Sequence, residues 1–279
     1  MLVLLLFALT AVPAAADSQR AGAPPQSPSA KETVPPSAQA DAETYARCMM
    51  LARQDPRTAL NLAEAWARRG GAHPADHCIA VALISLGKYK DGATRLQALA
   101  QAMTAAPPSL LAGVLDQASQ AWLLAGDPAR AFEVAREAAA VAPDDPDIII
   151  DRAEAAAAAG YLDAAVADLD RVLKADPNQV DALIYRASAD RKLDRLERAR
   201  ADIDKAVGLA PHSVAALLER GNIRRLQGDS DGARRDWEEV DQIAPGTPED
   251  TAARANIEHM TQLPDTARPA TPVGKAHAQ

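Results

Sequence analysis

A fixed interval between prolines constrains the fold of this chain of 279 residues. Four prolines each lie 34 residues after the one before, at Pro143, Pro177, Pro211 and Pro245. Alanine keeps the same interval at Ala131, Ala165, Ala199 and Ala233, and glycine does so at Gly126, Gly160 and Gly228, with Asp194 in the missing place. A chain with such a repeat stacks similar units side by side instead of folding around one central core.

The pattern inside each unit predicts two helices. Val166, Leu169, Val172 and Leu173 fall on one face of a helix, and no comparable strand-like alternation competes with this pattern. Glycine suits the left-handed position that ends a helix, and proline cannot continue a helix because it lacks the N–H donor. The glycine column therefore marks the end of a first helix and the proline column the end of a second.

From residue 112 to 247 the chain resembles four tandem tetratricopeptide repeats, at 112–145, 146–179, 180–213 and 214–247. The matching columns are the terminal prolines, the alanines, and the apolar sets Leu115, Ile149, Leu183, Leu217 and Ala135, Leu169, Ile203, Trp237. The usual mid-helix aromatic is present only at Trp122, with Ala156, Asp190 and Arg224 in the other units. The resemblance implies a right-handed α-solenoid.

The same pattern continues upstream in a degenerate form. The Asp-Pro pair at 55–56 resembles the pair at 127–128, and the segment beginning at Gly87 resembles the one beginning at Gly160. Thirty-nine residues separate Gly92 from Ala131, five more than the repeat, and we assign the excess to the loop at 107–108. We therefore predict an all-α solenoid of six hairpins, two of them degenerate at 41–106 and four at 107–247. A capping helix at 248–263 would cover the last apolar face.

The N-terminus has the features of an export signal. An apolar run at 2–12 precedes three alanines at 14–16, which predicts a signal peptide at 1–16, although no Lys or Arg comes before Arg20. An N-terminal membrane anchor is the alternative, but the run is shorter than the roughly 20 residues that span a bilayer. The segments 17–40 and 264–279 have little to bury and are predicted to be a disordered linker and tail. We therefore expect location in the periplasm or cell envelope.

Arginine and aspartate recur together at the repeat interval. Arg152, Arg186 and Arg220 are each followed sixteen residues later by an aspartate, namely Asp168, Asp202 and Asp236. Both partners are replaced in the first repeat, by Ala118 and Val134. The arginines could form a ladder for an acidic ligand, or they could make structural ion pairs between helices. We favour ion pairs, because a matched carboxylate neutralises the charge that a ligand would need.

The resemblance also implies a partner-binding groove, because the first helices line a concave surface in this family. The corresponding residues are Asp147, Ile150, Glu154, Asp181, Ile184, Ser188, Arg191, Lys192, Leu218, Asn222 and Arg225. Mixed charges and aliphatic side chains suit a protein or peptide partner, although an ordinary solvated surface is the alternative for each residue. Only Asn222 matches the pattern of family members that grip a C-terminal carboxylate, so that binding mode is not predicted.

Cys48 and Cys78 are the only cysteines, and an even count in an exported chain favours a disulfide. Two buried structural thiols are the alternative. Cys78 also belongs to a cluster with His73, Asp76 and His77, which could hold a metal ion or form a hydrolytic centre. Pro74 argues against this site, because the proline predicts that a helix begins between the two histidines.

The predicted function is that of a non-catalytic protein–protein interaction scaffold without cofactor or metal. The sequence contains no phosphate-binding glycine loop and no nucleophile elbow. A formal charge of -8 without a basic block argues against nucleic acid as a partner, and no membrane span is expected after signal removal. The alternatives are a structural module that forms a homo-oligomer and, less favoured, a metal-binding or hydrolytic protein centred on residues 73–78.

Overall fold

The computed structural model describes residues 36–262, which form thirteen α-helices and contain no strand. The predicted signal peptide and the tail at 264–279 lie outside the described residues, as do residues 17–35 of the predicted linker. The helices are α1 Pro36–Gln54, α2 Pro56–Ala67, α3 Ala72–Ser85, α4 Tyr89–Ala102, α5 Pro108–Leu124, α6 Pro128–Val141, α7 Pro146–Ala158, α8 Leu162–Ala175, α9 Val180–Lys192, α10 Leu196–Leu209, α11 Val214–Leu226, α12 Ser230–Ile243 and α13 Pro248–Gln262.

Short connections make neighbouring helices pack side by side. From α5 onwards, three residues join the two helices of a hairpin, as at 125–127 and 193–195, and four residues join successive hairpins, as at 142–145 and 210–213. Connections of this length force antiparallel neighbours. The prediction of an all-α solenoid is confirmed. The predicted linker boundary at residue 40 falls inside α1, which begins at Pro36, a residue type well suited to a first helical position.

The first helices α5, α7, α9 and α11 end with the same hydrogen bond. Gly126, Gly160 and Gly228 have φ of +74°, +88° and +84°, and Asp194 adopts the same conformation at +59°. The N–H of the following residue then donates to a carbonyl five residues back, for example from Asp127 to Trp122 at 3.0 Å. This pattern is the Schellman motif, and it explains why the glycine column accepts an aspartate, which tolerates the left-handed region better than most residues.

The helices form two compact units, which comprise residues 36–164 and 165–262 of the described chain. In the N-terminal unit the core contains Leu96, Leu115 and Trp122 among many alanines. In the C-terminal unit the largest fully buried side chains include Leu183, Ile203 and Trp237. Within residues 36–262 no helix combines the length and the hydropathy needed to cross a bilayer.

Small residues allow the two helices of a hairpin to approach closely. In the hairpin of α11 and α12, a Cβ added to Gly221 would lie 2.4 Å from Nε1 of Trp237, which is fully buried. The preceding hairpin has Ala187 in place of Gly221 and Ile203 in place of Trp237. There the residue on the first helix is larger and the residue on the second helix is smaller. The two columns therefore compensate for each other in volume.

We expect Gly221→Ala to lower the free energy of unfolding by about 1–3 kcal/mol, because the new methyl group overlaps the indole. Adding Trp237→Ile reproduces the combination of the preceding hairpin, so the double variant should lose less stability than the sum of the two single variants. Urea unfolding of the four proteins measures this coupling. Additive losses would show that the overlap is relieved elsewhere.

Candidate functional site

The first helices of the hairpins pack against one another within each unit. In the N-terminal unit α1 packs on α3 and α5 on α7, and in the C-terminal unit α9 and α13 both pack on α11. Within each unit of the described chain, the second helices make their substantial contacts only with helices that adjoin them in sequence. The more closely spaced set of helices lies on the inner side of a stack. We call the surfaces formed by α1, α3, α5 and α7 and by α9, α11 and α13 the N-terminal face and the C-terminal face.

The predicted groove residues differ in exposure. Asp147, Lys192 and Arg225 are exposed, whereas Glu154, Asp181, Ser188, Arg191 and Asn222 are half-buried. Ile150, Ile184 and Leu218 are only 4%, 7% and 3% exposed, so they belong to the core and offer no surface to a partner. Helix α9 shows why Ile184 is buried. It packs on both α10 and α11, so its apolar surface is wider than that of a helix with one neighbour.

A disulfide joins two first helices of the N-terminal unit. Cys48 on α1 and Cys78 on α3 lie at bonding distance, with Cα atoms 6.2 Å apart, and neither residue is exposed. The two helices belong to different hairpins, so the bond links the first hairpin to the second.

Beside the disulfide, a chain of hydrogen bonds crosses three first helices. The Tyr45 hydroxyl on α1 is 2.9 Å from Nδ1 of His77 on α3, and Nε2 of His77 is 2.9 Å from Oε1 of Gln117 on α5. Because an amide oxygen only accepts, we assign the His77 proton to Nε2, and Nδ1 then accepts from Tyr45. Burial lowers the pKa of His77, although the Gln117 hydrogen bond partly opposes this effect. His77 is therefore held as a neutral imidazole.

These contacts bear on the alternative of a metal or hydrolytic centre at residues 73–78. Cys78 is bonded to Cys48, both ring nitrogens of His77 meet protein partners, and Asp76 pairs with Arg95. His73 is exposed at the start of α3. No group of three or more potential metal ligands occurs within residues 36–262. His73, Asp76, His77 and Cys78, which are close in sequence, therefore have different surroundings in the structure.

Two aspartates approach each other on the N-terminal face. The Nε2 amide of Gln120 donates to Oδ2 of Asp116 on α5 at 3.0 Å and to Oδ2 of Asp151 on α7 at 3.1 Å. Burial, followed by the charge of Asp151 and a hydrogen bond to it, raises the pKa of Asp116 well above its usual value. Asp116 therefore retains a proton at a pH where an ordinary aspartate has lost it.

A second polar chain crosses the C-terminal face. Arg191 on α9 binds Glu219 on α11 through two nitrogens, at 2.6 and 3.2 Å. Asn222 donates to Glu219 at 3.3 Å, and Asn256 on α13 donates to the side-chain oxygen of Asn222 at 2.9 Å. Arg191, one of the predicted groove residues, is thus paired with a carboxylate. Asn256 was missed from the sequence, although it lies 34 residues after Asn222.

The structure brings two of the predicted arginine–aspartate pairs together. Arg186 binds Asp202 at 2.7 and 2.8 Å, and Arg220 binds Asp236 at 3.0 and 2.6 Å, each pair joining the two helices of one hairpin. Arg152 belongs to the N-terminal unit and Asp168 to the C-terminal unit, so this third pair stays a prediction. Arg186 also reaches Asp170 at 2.8 Å, so the guanidinium meets two carboxylates.

Two mid-helix positions that replace the usual aromatic residue extend this ionic packing. Arg224 forms an ion pair with Asp236 at 2.7 Å, so the Asp236 carboxylate binds both Arg220 and Arg224. Asp190 has no exposed surface and contacts Arg195 at 3.4 Å and Arg198 at 3.0 Å. Burial raises the pKa of Asp190, and the two arginines oppose that shift. Ion pairs thus occupy positions where an apolar core would otherwise continue.

A cleft of about 410 Å³ lies between α4, α5 and α6, on the side of the second helices. Trp122 forms part of its wall, donates to Gln97 at 2.7 Å, and carries the Arg130 guanidinium 4.7 Å from its ring centre. The helical walls of the cleft are contributed mainly by the second helices α4 and α6, so it is distinct from the N-terminal face.

The raised pKa of Asp116 predicts a pH-dependent gain in stability on substitution. The folded protein holds a proton on Asp116 more tightly than the unfolded chain does. The stability gained from this proton is therefore fully present below the pKa of Asp116 in the unfolded chain, and it is lost as pH rises through the pKa of Asp116 in the folded protein. Asp116→Asn keeps an acceptor for Gln120 and removes this loss. We expect a higher urea midpoint than wild type at pH 7 and a smaller difference at pH 4. Glu137→Gln, at an exposed site on α6, serves as control and should change neither value.

Removal of one partner of a buried ion pair should be costly. We expect Arg186→Ala to lower the free energy of unfolding by about 3 kcal/mol, because Asp202, only 7% exposed, would lose its counter-charge. Arg95→Ala, which removes an exposed ion pair with Asp76, should cost less than about 1 kcal/mol. Denaturant melts of both variants provide the comparison. Equal losses would rule out a special role for the buried pair.

Comparison with known proteins identifies a repeat within the chain and a shared fold. Residues 123–190 match the tetratricopeptide repeat family. No curated protein is significantly similar in sequence. A thermophilic TPR protein of Thermus thermophilus is 19% identical, with a TM-score of 0.56 over 69% of this chain and 100% of that chain. A tetratricopeptide repeat protein of Parabacteroides merdae is 20% identical, with a TM-score of 0.54 over 69% and 75%.

At these identities the two crystal structures show a shared fold only. The fold nevertheless agrees with the repeat match at 123–190 and with hairpins that recur every 34 residues. On these three grounds, the chain contains tetratricopeptide repeats at 123–190 and has the fold of tetratricopeptide repeat proteins.

Proposed function

We propose that this protein is a non-catalytic scaffold that holds a protein or peptide partner on its first-helix faces. Proteins built from tetratricopeptide repeats are generally interaction scaffolds of this kind. The polar chains on the two faces support the proposal, because they fix side chains in place before a partner arrives. Preorganised groups lose less conformational entropy on binding.

The observation that carries the proposal is the distribution of paired and unpaired cations on the C-terminal face. Arg186, Arg191, Arg220 and Arg224 are all engaged with carboxylates. Lys192 and Arg225 are exposed near the ends of α9 and α11, and neither is within ion-pair distance of an acidic group in the described part of the chain. Beside them lie the amides of Asn222 and Asn256. Together these groups offer hydrogen bonds and charge to an extended partner segment.

We further propose that the protein works after export, in the periplasm or cell envelope. The apolar run and small residues at 1–16 support export, and the Cys48–Cys78 disulfide suits an oxidising compartment. Among the alternatives, self-association through the C-terminal end receives little support. The exposed residues of α13 are mostly polar, among them Thr251, Arg254, Glu258 and His259.

Charge reversal at Arg225 tests the C-terminal face. Peptides would be selected from a random display library on the immobilised full chain, and their affinities measured for variants. We expect Arg225→Glu to weaken binding at least tenfold, because it reverses an unpaired face charge. Arg235→Glu is the matched control, since Arg235 is exposed on the second helix α12. Equal affinities for the two variants would locate binding elsewhere.

A further inference from the structure

We propose that oxidation of Cys48 and Cys78 assembles the N-terminal face, so that the face is complete only in the oxidised protein. The disulfide is a conformational device in this view, because it brings α1 into register with α3 and α5. The inference rests on the proposed function only in so far as the face binds a partner.

The first reason is the position of the bond. The disulfide joins α1 to α3, two first helices from different hairpins. Tyr45 lies one helical turn before Cys48, and His77 adjoins Cys78, so the cross-link lies beside the Tyr45–His77 hydrogen bond. Loss of the bond would therefore free the element that supplies the tyrosine to the face.

The second reason is the small size of the surrounding core. Around the disulfide the buried residues are mostly alanines, with Ile79 and Val81 as the largest members; the alanines are Ala52, Ala59, Ala63 and Ala82. Alanine buries little apolar surface, and the larger side chains that pack on this cluster, among them Leu51, Leu60 and Leu83, are only partly buried, so the packing around the bond is modest. Among the described helices, α1 makes its substantial contacts with α2 and α3. The cross-link therefore supplies a large share of the attachment.

The third reason is the burial of both sulfur atoms. Neither Cys48 nor Cys78 has exposed surface, so a reagent reaches the disulfide only after α1 has moved. Docking of α1 on α3 therefore completes the N-terminal face and at the same time shields the disulfide from reductants. In chemical terms, the two thiols give two electrons and two protons to a disulfide-bearing oxidant. The oxidant leaves as a dithiol and the Cys48–Cys78 bond forms.

The consequence is a difference between two compartments. In a reducing compartment the first hairpin is loosely attached, Tyr45 is separated from His77, and the face lacks α1. In an oxidising compartment the bond closes a segment with a sequence separation of 30 residues and favours docking by roughly two orders of magnitude. The chain therefore acquires its complete N-terminal face only after it reaches an oxidising environment.

Hydrogen exchange and histidine titration on the full chain test this inference without a partner. The oxidised protein is compared with Cys48→Ala/Cys78→Ala and with wild type reduced by a dithiol. We expect amide protection in α1 and α2 to fall about a hundredfold, with little change in α5 and α6. The NMR titration of His77 should shift upwards towards the pKa of an ordinary histidine, because the ring gains water.

Three outcomes would overturn the inference. The first is amide protection of α1 and α2 that does not change on loss of the disulfide, and the second is an unchanged His77 titration. The third is loss of amide protection throughout the N-terminal unit, which would show that the disulfide stabilises the whole unit and not α1 in particular. Tyr45→Phe is the matched control, because it keeps the disulfide and removes only the hydroxyl. It should leave α1 and α2 protected. Peptide binding by Arg225→Glu tests the C-terminal face, whereas hydrogen exchange and the His77 titration test the N-terminal face without a partner. Failure of the proposed function can therefore be distinguished from failure of this inference.

Discussion

The close approach of two helix backbones within each hairpin is the constraint on which the structure depends. It requires small residues at the crossing, such as Gly221 beneath Trp237 and the alanine column on the second helices. Ser119 meets the requirement differently, since its hydroxyl donates to the carbonyl of Ala131 at 2.9 Å. A core with few aromatic residues can then reach native packing density, because backbones rather than large side chains fill the space.

The two units complete this alanine-rich packing in different ways. The N-terminal unit uses Trp122 and a disulfide, whereas the C-terminal unit places Asp190, Asp202 and Asp236 inside and neutralises them with arginines. Buried ion pairs contribute little net stability, since desolvation offsets attraction, but separation of the partners is expensive. Such pairs therefore resist sliding of one helix along another. They also engage five arginines, which are then less available to a partner; these are Arg186, Arg195, Arg198, Arg220 and Arg224.

Polar chains give each face its individual character. On the N-terminal face, burial lowers the pKa of His77 and raises the pKa of Asp116, and the amides of Gln117 and Gln120 bond to these two side chains. On the C-terminal face, a chain of polar contacts runs from Arg191 through Glu219 to the two asparagines, and Lys192 and Arg225 are exposed. A fold that repeats every 34 residues thus presents two chemically different surfaces.

The sequence by itself determined the hairpins, because the 34-residue interval, the helix-ending glycines and the small-residue columns report distances along one chain. The sixteen-residue offset of Arg186 and Asp202 could be interpreted for the same reason, since both belong to one hairpin. Only the tertiary structure decided that Ile184 and Leu218 are buried, that Arg191 meets Glu219, and that Tyr45 meets His77. Contacts between hairpins depend on the tilt and spacing of packed helices, and a linear period contains neither quantity.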